Sequence, residues 1–151
     1  MLNNRYTILF ATFLAAVFLT AGTAVASSED ADSKNNGRYI VVPGKSTPMD
    51  FGILTISSNI VQAQTNWHYK YVTGYSTSLS IDLDWLSSAN SLRLTIYTPS
   101  QVPMGPYYDN IDGSVNGRIT FDIINYNGLE QGTWSCVIYG QKVSGMESYT
   151  I

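Results

Sequence analysis

The chain has 151 residues, with eight Lys and Arg against 11 Asp and Glu, a formal charge of −3, and aromatic residues at 13%. That length suits one domain rather than two, and the scattered cations argue against nucleic acid, which rewards clustered Lys and Arg. The single Cys excludes an intrachain disulfide, and one His with one Cys cannot complete a tetrahedral zinc shell.

The first 26 residues read as a secretory leader. Arg5 gives a positive start, Thr7 to Thr20 is apolar and uncharged, and Ala24-Val25-Ala26 is a small-x-small cleavage signal. Cleavage is expected between Ala26 and Ser27. The apolar run is short for a transmembrane helix, which needs about 20 residues, although an uncleaved anchor is the alternative. After cleavage no membrane segment is expected. Seven cations then face 11 acids, and residues 27–37 (SSEDADSKNNG) form a flexible polar segment without a hydrophobic side chain large enough to pack. Asp30-Ala31-Asp32 looks like the opening of a calcium loop, but Lys34 takes the next ligand position and no closing Glu follows.

From Arg38 onward the chain is written in short strands. Tyr39 to Val42 stops at Pro43-Gly44, and Gly52 to Ser57 is a second candidate. Trp67, Tyr69 and Tyr71 alternate with His68 and Lys70, so the three rings share a face. The most regular strand is Leu79 to Trp85, with Leu79, Ile81, Leu83 and Trp85 on one side and Ser80, Asp82 and Asp84 on the other. Leu92, Leu94 and Ile96 predict a buried face opposite Arg93, Thr95 and Tyr97; Ile119, Phe121 and Ile123 predict another. Pro99 to Gly105 reads as a loop, Tyr107-Tyr108 as a short strand and Asp109 to Gly113 as a turn. Trp134 to Tyr139 is a strand that buries Cys136, and Tyr149 to Ile151 adds a final edge strand. No segment carries ten residues of helical periodicity. Strands of this length, separated by turn signals, predict an all-β, small antiparallel sandwich of jelly-roll or Greek-key type over residues 38–151.

Four segments carry a resemblance to a known family. They are Asn66-Trp67-His68-Tyr69, Leu79 to Leu83, Ser91 to Ser100 (SLRLTIYTPS), and Gln131 to Gly140 with Tyr149-Thr150-Ile151. Together, residues 62–151 resemble the bacterial and archaeal pre-peptidase C-terminal domain, in a form common in methanogenic archaea. The resemblance implies a secreted β-sandwich accessory module; such domains usually follow a peptidase. Asn66 stands where the family has Asp, Gln101 where a turn Gly is expected, and an extra residue lies within Trp67 to Val72. These departures weaken any inherited cation site more than the fold.

No Gly-x-Ser-x-Gly or His-Glu-x-x-His occurs, and His68 has no nucleophile at a recognised spacing. Asp82 and Asp84, with Asp122, are the carboxylates a small polysaccharide hydrolase would use, but such enzymes need a cleft and a desolvated acid. Asp109 and Asp112 flank a turn that suits either Ca²⁺ or an ordinary surface Asp-Gly turn. Tyr97, Tyr107, Tyr108 and Tyr139 suit contact surfaces, and the loop Pro103 to Gly113 is the expected functional edge, with Tyr107 and Tyr108 as its contact residues. The expected function is non-enzymatic binding or adhesion at the cell surface or matrix, toward an extracellular protein or glycan. The alternatives are a surface-filament subunit paired through Tyr149 to Ile151 or Tyr39 to Val42, and the hydrolase.

Overall fold

The computed structural model describes residues 38–44 and 56–151. The leader, its Ala26–Ser27 junction, the polar segment 27–37 and most of the strand expected at Gly52 to Ser57 lie outside the described residues. Among the described residues the strands are β1 (Ile40–Pro43), β2 (Ser57–Val61), β3 (Thr65–Val72), β4 (Ser78–Asp84), β5 (Ser91–Tyr97), β6 (Pro103–Tyr107), β7 (Arg118–Ile124), β8 (Gly132–Lys142) and β9 (Met146–Thr150), with one 3-10 turn at Asp109–Asp112.

They form two antiparallel sheets, ordered β1-β7-β4-β9-β2 and β3-β8-β5-β6. Leaving β1 aside, β2, β9, β4 and β7 face β3, β8, β5 and β6. Each successive strand from β2 to β9 thus crosses or returns in the order of a jelly roll. The expected sandwich is what the chain forms, with β1 added beside β7.

Alternation explains the core. Ile81 and Leu83 of β4, Leu92, Leu94 and Ile96 of β5, Ile119, Phe121 and Ile123 of β7, and Trp134, Cys136 and Ile138 of β8 are all fully buried. Each such side chain contributes about 1.5–3 kcal/mol of burial. The two buried tryptophans also place their N–H groups: Trp85 Nε1 donates to Ser87 O at 2.9 Å, and Trp134 Nε1 to Glu130 O at 2.9 Å. Tyr39 packs edge-on against Trp134, with ring centroids 5.4 Å apart. Burial pushes the Cys136 thiol up to about 11, so this cysteine behaves as a small hydrophobe.

Three boundaries differ from the sequence reading. The C-terminal strand β9 is not an edge: it lies between β4 and β2, pairing Asp84↔Thr150 on one side and Ser57↔Thr150 through Val61↔Met146 on the other. Its β2 side is fully paired and its β4 side is paired only at Thr150, whereas β1, the other strand considered for filament pairing, lies at the sheet edge. Pro103 to Gly105 is strand rather than loop, and β6 tolerates Pro103 and Pro106 because it is an edge strand that can do without their missing N–H donors. Finally, β2 is the polar Ser57–Val61, whose pairing to β9 is nonlocal and invisible in its own composition.

Candidate functional site

The two outer faces of the sandwich have opposite characters. On the five-stranded sheet the register sets Ser80 beside Asp122, Asp82 beside Thr120 and Asp84 beside Arg118. Arg118 Nε and Nη2 each donate to Asp82 at 2.7 Å, a bidentate pair, and Asp84 stands 4.0 Å from the same guanidinium. Hydrogen bonding to Asp82 raises the Arg118 pKa. Asp84 also accepts the Leu86 N–H at 3.0 Å, and Ser80 Oγ donates to Asp122 at 2.6 Å. A shallow groove of about 390 Å³, lined by Ser57, Asn59, Asp84, Ser148 and Thr150, opens where β4 and β9 pair at a single position.

The outer face of the four-stranded sheet is aromatic. Along β3, Trp67, Tyr69 and Tyr71 are 51, 53 and 71% exposed, while Asn66, His68 and Lys70 between them are half-buried. Alternate positions on a strand put successive rings about 7 Å apart. The β8 partners of those rings are Val137, Ser135 and Thr133, and β5 sets Arg93, Thr95 and Tyr97 opposite Tyr139, Val137 and Ser135. Trp67 and Tyr97 reach across β8 toward each other; their centroids are 6.0 Å apart and their planes within 23°. Ser135 shows how the rings lie. It belongs to the outward set, yet it is only 5% exposed, because Tyr69 and Tyr97 flank it from both neighbouring strands. Trp67 and Tyr97 thus meet over the central strand. The Arg93 guanidinium sits 4.5 Å from the Tyr139 ring centroid, a cation–π contact. The strand positions of this face carry no carboxylate.

The inner side of β3 accounts for its polar residues. Asn66 Nδ2 donates to Tyr149 Oη at 2.9 Å and to Asn59 O at 2.9 Å, and Gln64 Nε2 donates to Asn66 Oδ1 at 2.8 Å. His68 Nε2 lies 2.7 Å from Tyr149 Oη. Tyr149 Oη thus holds both Asn66 and His68, the donor in the His68 contact being set by the imidazole tautomer. Burial, helped by the Lys70 charge, lowers the His68 pKa below its ordinary value.

The loop expected to form the functional edge is largely structural. Tyr107 is only 4% exposed, its ring 4.4 Å from that of Phe121, because β6 turns it inward opposite Leu94; it is not a contact residue. Tyr108 is exposed, as expected. Asp109 is buried, and its carboxylate accepts the backbone N–H groups of Asn116, Gly117 and Arg118 at 3.1, 3.0 and 3.1 Å. Gly117 makes this possible: its φ is +83°, and a Cβ there would lie 2.7 Å from backbone atoms of Leu86 and Ser87. Asp112 instead accepts the Ser114 N–H at 2.9 Å. The pair expected to share Ca²⁺ thus serves two separate backbone segments. Among the described residues no group of three or more His, Cys, Asp or Glu side chains is placed to hold a metal ion. Of the tyrosines singled out in the sequence, Tyr97 and Tyr139 belong to the aromatic face. The exposed Trp67, Tyr69 and Tyr71 complete it, and their regular alternation was its signal.

An uncharacterized protein of Archaeoglobus fulgidus is 36% identical to this chain over 50 residues, which span 33% of this chain and 70% of that protein. The two chains belong to one family. No family model matches the sequence, and no solved structure matches it.

Proposed function

We propose that this protein is a secreted, non-enzymatic β-sandwich module that binds at the cell surface or extracellular matrix through the outer face of its four-stranded sheet. The observation that carries this reading is the aromatic face, on which Trp67, Tyr69 and Tyr71 are exposed and Tyr97 and Tyr139 are half-buried beside them; such exposed ring patches mark interaction sites. The resemblance of residues 62–151 to the pre-peptidase C-terminal domain and the leader-like N-terminus agree with an exported accessory module. The carboxylates favour binding over hydrolysis: Asp82, Asp84 and Asp122 are each held by a neighbouring partner, and of the three only Asp84 lines the shallow groove, whereas glycoside hydrolysis needs a pair of carboxyl groups flanking the scissile bond.

The test is retention of the purified protein on washed envelope and matrix fractions. Trp67→Ala and Tyr97→Ala should each weaken retention at least about tenfold, the usual consequence of removing an aromatic anchor. Tyr108→Ser in the connecting loop should leave it unchanged. Full retention by both aromatic variants, with melting temperatures preserved, would remove the face from the reading.

A further inference from the structure

From the chemistry of this face, and resting on the reading above, we infer that its ligand is an uncharged polysaccharide chain laid across the sheet over Trp67, Tyr97 and Tyr69. Three observations converge on that class. The first is shape. Trp67 stacks on Tyr97 across β8 with Tyr69 and Tyr71 exposed beside them, and Ser135 between the tyrosines of β3 and β5 is only 5% exposed, so the face offers clustered ring surface. The groove of about 390 Å³ lies on the opposite sheet. Protein partners are typically anchored by side chains that fill well-packed pockets. A sugar ring instead presents a broad face of C–H bonds, which suits the electron-rich face of an aromatic ring.

The second observation is charge. The strand positions of the face hold no carboxylate, and the Arg93 guanidinium is directed onto Tyr139. An anionic polymer would meet one already engaged cation, and a cationic one would meet no acid. The acids are gathered on the other sheet, where Asp82, Asp84 and Asp122 accompany Arg118. A neutral ligand matches the aromatic side. The third is the supply of hydroxyl groups between and beside the rings, from Thr65, Thr95, Thr133 and the tyrosines themselves. These can exchange hydrogen bonds with sugar hydroxyls as both donors and acceptors. The periodicity of β3, with rings about 7 Å apart, lets one chain engage successive rings and add their weak contributions.

The experiment uses the leader-free protein with cellulose, chitin and mannan as neutral probes, and alginate and polygalacturonate as anionic ones, at low and high salt. We expect binding to at least one neutral polymer, little changed by salt because no ion pair is involved. It should weaken at least about tenfold in Trp67→Ala and Tyr97→Ala and remain unchanged in Tyr126→Ala, an exposed ring in the β7–β8 loop. Binding confined to the anionic polymers and abolished by salt would overturn the inference. In parallel, envelope fractions are treated with periodate, which cleaves sugar diols, or with protease. Retention that depends on Trp67, survives periodate and is lost after protease would assign the face to a protein partner, overturning the glycan inference while leaving the binding face intact. Retention indifferent to Trp67 and Tyr97 would remove both.

Discussion

At the scale of single residues, Gln101 connects a sequence oddity to a backbone cost. It stands where the resembling family has glycine, and its φ is +65°, in the left-handed region. The turn needs it there: Gln101 N–H bonds Thr98 O at 2.8 Å, and the chain then re-enters β6 with Thr98 N–H bonded to Val102 O at 3.1 Å. A left-handed non-glycine residue costs about 1–2 kcal/mol, partly offset by the extra freedom glycine gives the unfolded chain. Gln101→Gly should therefore stabilise the domain by about 0.5–1 kcal/mol, read as a higher midpoint in chemical denaturation. His68 makes a prediction of a different kind. Its folded pKa is lowered, chiefly by burial, so the unfolded chain takes up a proton at a pH where the folded protein does not. The stability linked to this residue is full above the unfolded value of about 6.5, declines as the pH falls through it, and levels off below the folded value. Melting temperatures measured between pH 8 and 5 should fall through that window. His68→Gln should remove that part of the fall, and an identical profile in the variant would show that other groups cause it.

At the scale of elements, the β6–β7 connection shows how a loop rich in Tyr, Asp and Pro is held together. Its polar residues are directed at its own backbone. The buried Asp109 carboxylate collects three N–H groups, and removing it leaves those donors without that partner. Leaving a buried donor unpaired costs about 1–3 kcal/mol, so Asp109→Ala should destabilise the protein by at least about 2 kcal/mol. Adding Ca²⁺ or a chelator should leave the parent melting temperature unchanged; a clear rise with Ca²⁺ would restore the metal reading. The buried tryptophans belong to this scale too, since each closes one strand end against the opposite sheet. Trp85→Ala and Trp134→Ala should each cost about 3–5 kcal/mol, a large share of a total near 5–15 kcal/mol. Melting within a few degrees of the parent would contradict the packing described.

At the scale of the whole molecule, β9 closes the jelly roll. This strand fills the gap between β4 and β2, so the five-stranded sheet is incomplete until β9 is in place. Deleting Met146 to Ile151 should thus abolish cooperative melting rather than merely lower its midpoint, because β2 loses its neighbour and the buried Tyr149 and Ile151 leave the core. A truncated chain that still melts cooperatively would show that the two sheets hold without their closing strand. The same architecture separates the acidic outer face from the aromatic one.

What the sequence determined by itself is what depends on local spacing. Period-two alternation in Leu79 to Trp85, Ser91 to Tyr97, Gly117 to Ile124 and Trp134 to Tyr139 identifies a strand and its buried side without reference to any other segment, because successive side chains of an extended backbone must point opposite ways. The number of turns and the absence of helical periodicity then restrict the fold to a sandwich or barrel. Strand β3 marks the limit of that logic. It alternates between rings and polar groups with Val72 as its one aliphatic residue, and its spacing cannot say whether rings or polar groups turn inward. Only the tertiary structure decides, by bringing Tyr149 from the distant β9, with Asn59 of the preceding strand, to satisfy Asn66 and His68, which turns Trp67, Tyr69 and Tyr71 outward. Likewise Tyr107 and Asp109 are buried by β-strand partners and backbone donors that no local pattern reveals. The site was therefore legible only as a set of rings. Its existence as one surface depends on β3, β8 and β5 lying side by side, and pairing between strands far apart in sequence is a property of the folded chain.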